Sequence, residues 1–161
     1  MLLNKMIRAA LLDIDFYEEV EADVDATNEA FWVVAIASIA GGIGASLAGL
    51  GGEKSLFYTV IIMSISALIS WMIWAGITYW IGTTILKGPD TSASYGELLR
   101  TIGFSASPGV LRIFIFIPLL GWLIALGASI WMLVTMIIAV RQALDFTTGR
   151  AIGTCIIGWI I

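Results

Sequence analysis

The 161-residue chain contains no histidine. That removes the commonest metal ligand, the commonest haem ligand and the usual neutral-pH base. Its one cysteine, Cys155, permits neither an internal disulfide nor a CxxC pair. Charge is scarce: 12% of residues are charged, against about 25% in an ordinary soluble domain. Apolar residues take up that space and make 60% of the chain. A domain of this length could not hide so much apolar surface from water, so its solvent is largely lipid. A soluble enzyme, a nucleic-acid reader and a secreted disulfide scaffold are excluded. No cofactor is expected.

The charge that is present is unevenly placed. Residues 1–29 hold eight acids (Asp13, Asp15, Glu18, Glu19, Glu21, Asp23, Asp25, Glu29) against Lys5 and Arg8. The remaining residues carry four acids and six bases. The chain therefore divides into an N-terminal segment, 1–29, and a hydrophobic body, 30–161. The start does not read as a secretory signal, because Lys5 and Arg8 interrupt the apolar residues and acids follow them. Leu3, Ile7, Ala10, Leu11 and Ile14 share one helical face, which predicts an amphipathic helix over 2–17. Two placements fit it: the membrane surface, or packing on the membrane body or a partner chain. Residues 18–29 read as a solvated acidic connector. Asp23-Val24-Asp25 starts like a calcium loop, but Asn28 stands where glycine is needed and Val34 where glutamate is needed.

Three charge-free runs follow, 30–52, 55–86 and 113–140. A helix needs about 20 apolar residues to cross the hydrocarbon core. Span one reads as Ala30 to Leu50. Span two lies in the second run, with Phe57/Tyr58 and Tyr79/Trp80 spaced like two interfacial aromatic belts. Trp71 and Trp74 then fall inside the core and need packing partners. Pro118-Leu119-Leu120-Gly121 reads either as a kink in one helix or as a turn between two. A turn yields span three over about Leu98–Ile117, span four over Leu119–Val140, and a short span five over Ala151–Ile161. With five spans and the N-terminus inside, Lys5, Arg8, Lys87, Arg100, Arg141 and Arg150 are all cytoplasmic, and Lys54 is outside. A four-span reading spoils that bias. The positive-inside rule therefore selects five spans, with the N-terminus in and the C-terminus out.

Several stretches resemble the Yip family, the Ypt/Rab-interacting integral membrane proteins, in its bacterial form. They are Tyr95-Gly-Glu-Leu-Leu-Arg100, Ser107-Pro108-Gly109, Ile117-Pro118 with Gly121, Ile130-Trp131 and Ala139-Val-Arg141-Gln-Ala-Leu144. Leu11-Leu-Asp13, Tyr17-Glu-Glu-Val-Glu-Ala-Asp23 and Ala26-Thr27 add to them. The resemblance implies five helices, a cytoplasmic N-terminus in the bacterial cytoplasmic membrane, and no enzymatic chemistry. Eukaryotic relatives are associated with small GTPases, membrane traffic and membrane shape. This chain has no long cytosolic region before its first span, so a GTPase partner is not expected.

The candidate residues follow from lipid as solvent. Pro108-Gly109 breaks the backbone inside span three, and neighbouring helices or Ser105 and Ser107 must satisfy the freed carbonyls. No matching break and no midmembrane acid accompany it, so a transporter is not expected. Arg112 is the charge well inside a span. It either snorkels or makes a structural contact, or it holds an anionic lipid head group. Span one is dense in small-xxx-small pairs through Ser38, Gly41, Gly42, Gly44, Ala45 and Gly49, and Gly149–Gly153 starts another at span five. These faces serve packing within one chain or against a partner subunit. The seven tryptophans read as belt and packing residues, since histidine ligands for a pigment are absent. Ser64, Ser66 and Ser70 have no base to activate them, and Cys155 in its apolar span reads as inert. The expectation is an all-α, five-span, non-catalytic scaffold or adaptor that binds membrane lipids and other integral membrane subunits. A small accessory subunit of a photosynthetic or respiratory complex is the narrower alternative.

Overall fold

The computed structural model describes residues 1–50, 52, 55–88 and 91–161. Lys54, the base expected outside, lies beyond the described residues. The described residues form helices and turns without strands. They run α1 (Leu2–Ala10), α2 (Ile14–Ala22), α3 (Ala26–Leu47), α4 (Leu56–Trp80), α5 (Tyr95–Ser105), α6 (Gly121–Ala143) and α7 (Thr148–Ile160). A π-helical stretch, Ile81–Ile85, prolongs α4, and a 3-10 segment, Ser107–Phe116, follows α5.

Among the described residues, four stretches are long and apolar enough to cross a membrane: Ala26–Leu47, Leu56–Ile85, Tyr95–Phe116 and Gly121–Ala143. The expected fifth span is a helix of 13 residues, roughly 20 Å long against a core of about 30 Å. The Pro118–Gly121 alternative resolves as a turn, because the 3-10 segment ends at Phe116 and α6 starts at Gly121. Leu119 takes a left-handed φ of 66° there.

The packing centres on α3, which touches α4, α5 and the 3-10 segment. Over its apolar window α3 is 56% buried, whereas α4 is 11% buried and presents Ile61, Ile65, Ile69 and Ile73 outward. In water such a face would be untenable, and in lipid it is the ordinary outer wall. Local signals start the helices where the chain needs them. Ser55 accepts from the Tyr58 amide at the head of α4, and Ser94 and Glu97 form a reciprocal capping box on α5.

The N-terminal segment departs from expectation. The single helix predicted over 2–17 is two helices, broken where Leu12 adopts a φ of 64° and Asp13 caps α2 by accepting from the Phe16 amide at 3.1 Å. The connector over 18–29 is largely helical too. Glu18, Glu19 and Glu21 belong to α2, and Glu29 lies in the first turn of α3. Phe16, Tyr17 and Val20 are buried, with Phe16 edge-on to Phe104 at 5.2 Å. Burial pushes the Tyr17 phenol pKa well up, and its hydroxyl donates to the Ala9 carbonyl. Met6 and Ala9 turn α1 toward the body, while Leu3, Ile7 and Leu11 remain exposed on one stripe.

Ion pairs hold this segment. Lys5 pairs with Glu29, and Arg8 pairs with Asp13 and Glu19, each at 2.7 Å. The Arg8 guanidinium holds both carboxyls below the usual carboxylate range. A further tie is less obvious. A helix leaves its last four carbonyls without intrahelical donors, and α2 has no base in its last turn. Arg100 of α5 supplies one: its Nε donates to the Val20 carbonyl at 3.0 Å and its Nη2 to the Glu21 carbonyl. Arg100 is 6% exposed, so those carbonyls and the helix dipole stabilise a cation taken out of water.

Glu21 makes this junction pH-sensitive. Burial pushes its pKa up to about 7; Asp145, Glu97 and Glu18 add to the rise, and Arg100 opposes it. The folded chain therefore holds a proton that the unfolded chain has lost between the ordinary 4.5 and about 7. Stability contributed by this group falls as pH rises through that window. Protection factors over 14–22, with the intrinsic base-catalysed exchange rate divided out, should be larger at about pH 5 than at about pH 8, and Glu21→Gln should flatten the difference. A pH profile unchanged by Glu21→Gln would refute the assignment.

Candidate functional site

The span-one glycines fix how closely the backbones approach. A Cβ built on Gly42 would lie 3.0 Å from the Val60 Cα of α4. One on Gly44 would lie 2.1 Å from the Arg112 carbonyl oxygen and 3.0 Å from that of Ile113. One on Gly41 would lie 3.8 Å from both Cβ and Cδ of Arg112. This part of the seam is thus occupied within the chain by α4 and the 3-10 segment. Ala45 is buried beside it, and Ser38 donates to the Ala35 carbonyl of its own helix. Gly49 plays a different part, ending α3 at a φ of 74°. Among the described residues, neither Gly49 nor Gly149 has a neighbour within 4 Å of a built Cβ, while Gly153 meets Leu86 at 3.5 Å.

The break at Pro108 is satisfied locally. Proline has no amide to donate to the carbonyl four residues back, which is that of Phe104. The Ser107 hydroxyl donates to it at 2.6 Å. Thr135 of α6 donates to the Ser105 carbonyl at 2.8 Å, and the Ser105 hydroxyl itself turns to Ile102. Gly109 lets three elements meet, since its Cβ would lie 3.2 Å from the Met132 sulfur of α6 and 3.3 Å from the Ala37 Cβ of α3. The backbone then continues as ten residues of 3-10 helix, an unusually long run. This delivers Arg112 onto α3.

Arg112 is half-buried, and its Nη2 donates to the Ser129 hydroxyl of α6 at 2.9 Å. Ser129 in turn donates to the Ala125 carbonyl at 2.7 Å. No carboxylate among the described residues forms an ion pair with Arg112. Arg112 stands in the wall of a cavity of about 530 Å³. The cavity is walled by α3, α4, α5, the 3-10 segment and α6, with Trp159 of α7 at its rim. Trp71, Trp74, Met132 and Met136 make much of the apolar lining. Trp71 is anchored by donating to the Leu99 carbonyl at 2.9 Å. Among the described residues, α4 and α6 share this cavity while making little contact with each other. Exposed Met63, Ser70, Ser129 and Trp159 mark the opening.

Sequence reasoning singled out Arg112 as a structural or lipid contact, Ser38 and Gly41 as helix-interface residues, Gly109 as part of the break, and Trp71 and half-buried Trp74 as packing residues, without bringing them to one cavity. It missed Ser129, Met132 and Met136, which carry no signal beyond lying in an apolar span. It also counted Arg100 only as a cytoplasmic charge.

A family model described as the Yip1 domain matches residues 14–161, from the first residue of α2 to the last of the chain. No curated protein and no solved structure matches.

The seam yields a paired prediction. Gly44→Ala puts a methyl into a backbone carbonyl, and overpacking of this kind costs about 1–3 kcal/mol. Gly149→Ala meets open space and should stay within about 0.5 kcal/mol of the parent. Thermal unfolding in one detergent should show the first variant clearly less stable than the second. Equal midpoints would contradict the backbone contact at Gly44.

Proposed function

The chain belongs to the family of the Yip1 domain, and on that premise we propose that it is a non-catalytic membrane protein that works by binding lipids and other integral membrane proteins. One observation carries this reading. The bundle builds an apolar cavity that opens between two helices, and Arg112 is the charged side chain among its described lining residues. Such a cavity suits holding an apolar group. Its serines have no base among the lining residues to activate them.

In this reading the N-terminus is cytoplasmic, the C-terminus is outside, and α7 is a short fifth crossing accommodated by local thinning of a bacterial cytoplasmic membrane. The bases support it. Arg100 touches α2, and Gln142, next to Arg141, donates to Glu18 at 3.0 Å, so these bases share one end of the bundle with the N-terminal helices. The exposed stripe of α1 then lies in the interface, with Lys5 and Arg8 turned to their acidic partners.

Purification in mild detergent, with mass spectrometry of both proteins and lipids, tests the function. Retention of defined lipids or membrane proteins is expected. A chain stripped of both, or one that moves solutes across liposomes, would contradict the reading. Reporter fusions at the two termini should report opposite sides, and a cytoplasmic signal from both would reject five crossings.

A further inference from the structure

We propose that the cavity between α4 and α6 binds one anionic lipid, with an acyl chain in the apolar chamber and the head-group phosphate on Arg112. This rests on the reading of the chain as a membrane protein that works by binding, and it names the ligand class of that site.

Size and lining indicate the tail. The cavity's volume of about 530 Å³ falls within the roughly 300–1,000 Å³ of small-molecule pockets. Met63, Met132 and Met136 give it walls of adaptable shape, which suits a flexible chain. The opening lies between helices whose outer faces are apolar, so the neighbouring medium is acyl chain.

The charge indicates the head group. A guanidinium carries five N–H donors in a planar fork, and Arg112 places one on Ser129. An arginine within a span is costly unless paired. A phosphate oxygen pair fits the fork in two parallel hydrogen bonds. Among the described lining residues the other polar groups are neutral, and Trp74 Nε1 is buried without a partner. Ser38, Ser105 and Ser129 already donate to the Ala35, Ile102 and Ala125 carbonyls. Arg112 is the charged group among the described lining residues, so discrimination by head-group charge falls to it. A net anionic head group neutralises the guanidinium, whereas a zwitterionic one brings its own cation beside it.

The glycine seam becomes part of the site. The stem of Arg112 lies over Gly41, and its carbonyl presses on Gly44. A side chain at either position would move the 3-10 segment off α3 and carry the guanidinium with it.

The full chain, reconstituted with equal parts phosphatidylcholine and phosphatidylglycerol and then released for native mass spectrometry, tests the proposal. The expected result is one retained phosphatidylglycerol per chain, enriched about tenfold over phosphatidylcholine, a factor worth about 1.4 kcal/mol. Arg112→Gln should bring that enrichment close to unity, and Arg112→Lys should keep part of it. Ala67→Phe, which fills the chamber, should remove both lipids. Glycerol phosphate in solution should fail to displace the bound lipid. Enrichment that survives Arg112→Gln overturns the proposal, as does wild-type retention without head-group preference. Displacement by glycerol phosphate would overturn it in favour of a soluble anion. If Arg112→Gln does not fold, Arg112→Lys and the competition decide alone. Lipid held without discrimination sinks this inference and leaves the binding role standing; a chain that holds neither lipid nor protein sinks both.

Discussion

The bundle depends on how closely other backbones can approach α3. In lipid, bringing two apolar helices together expels no water, so association relies on van der Waals fit and a few hydrogen bonds. Fit at this level is set by single atoms. At Gly44 the missing Cβ is replaced by the carbonyl oxygen of Arg112, and at Gly42 by the backbone of α4. The 3-10 segment can press on α3 because it is not an α-helix there, and it leaves the α-helical path because Pro108 cannot donate to Phe104. Ser107 and Thr135 then make the departure affordable in a medium without water. Seam, break and Arg112 are thus one arrangement.

A second constraint governs the N-terminal helices. They bring charge close to an apolar body, and they do so by pairing nearly every charge that approaches it. Arg8 satisfies two carboxylates, Lys5 meets Glu29, and Arg100 is neutralised chiefly by the carbonyl end of α2. Glu21 is the exception, half-buried among other acids, and it is the group whose ionisation works against docking. The family match begins at Ile14, so the docked α2 lies inside the matched region while α1 precedes it.

Much of this was legible in the sequence, for reasons that can be traced to particular residues. Charge-free runs located α3, α4 and α6, because charges are excluded from lipid wherever they cannot pair, whereas the stretch through α5 carries Glu97, Arg100 and Arg112 and is read from the Pro118–Gly121 turn. Small residues at spacing four located the seam, and Pro108-Gly109 located the break. Gly121 marked the turn, and a Cβ there would lie 1.9 Å from the Ile115 carbonyl oxygen. What escaped was non-local or without a breaker residue. Leu12 ends α1 in a left-handed conformation with neither glycine nor proline beside it, and the Asp13 cap was the available signal. The partners of Arg100 are backbone carbonyls 79 and 80 residues away, which no local pattern announces. Ser129 became a site residue because Arg112 reaches it across the cavity.

The contact between α3 and the 3-10 segment can be measured directly. A Cβ on Gly41 would lie 3.8 Å from the Arg112 Cβ, inside the roughly 3.5–4.5 Å range of disulfides. With Cys155→Ser removing the natural thiol, Gly41→Cys and Arg112→Cys together should oxidise in native membranes to a bond within one chain. The product would migrate as a monomer of altered mobility that reverts on reduction. A disulfide-linked dimer, or thiols that stay free under oxidant, would contradict the account, because the small-residue face of α3 would then meet another chain or only lipid.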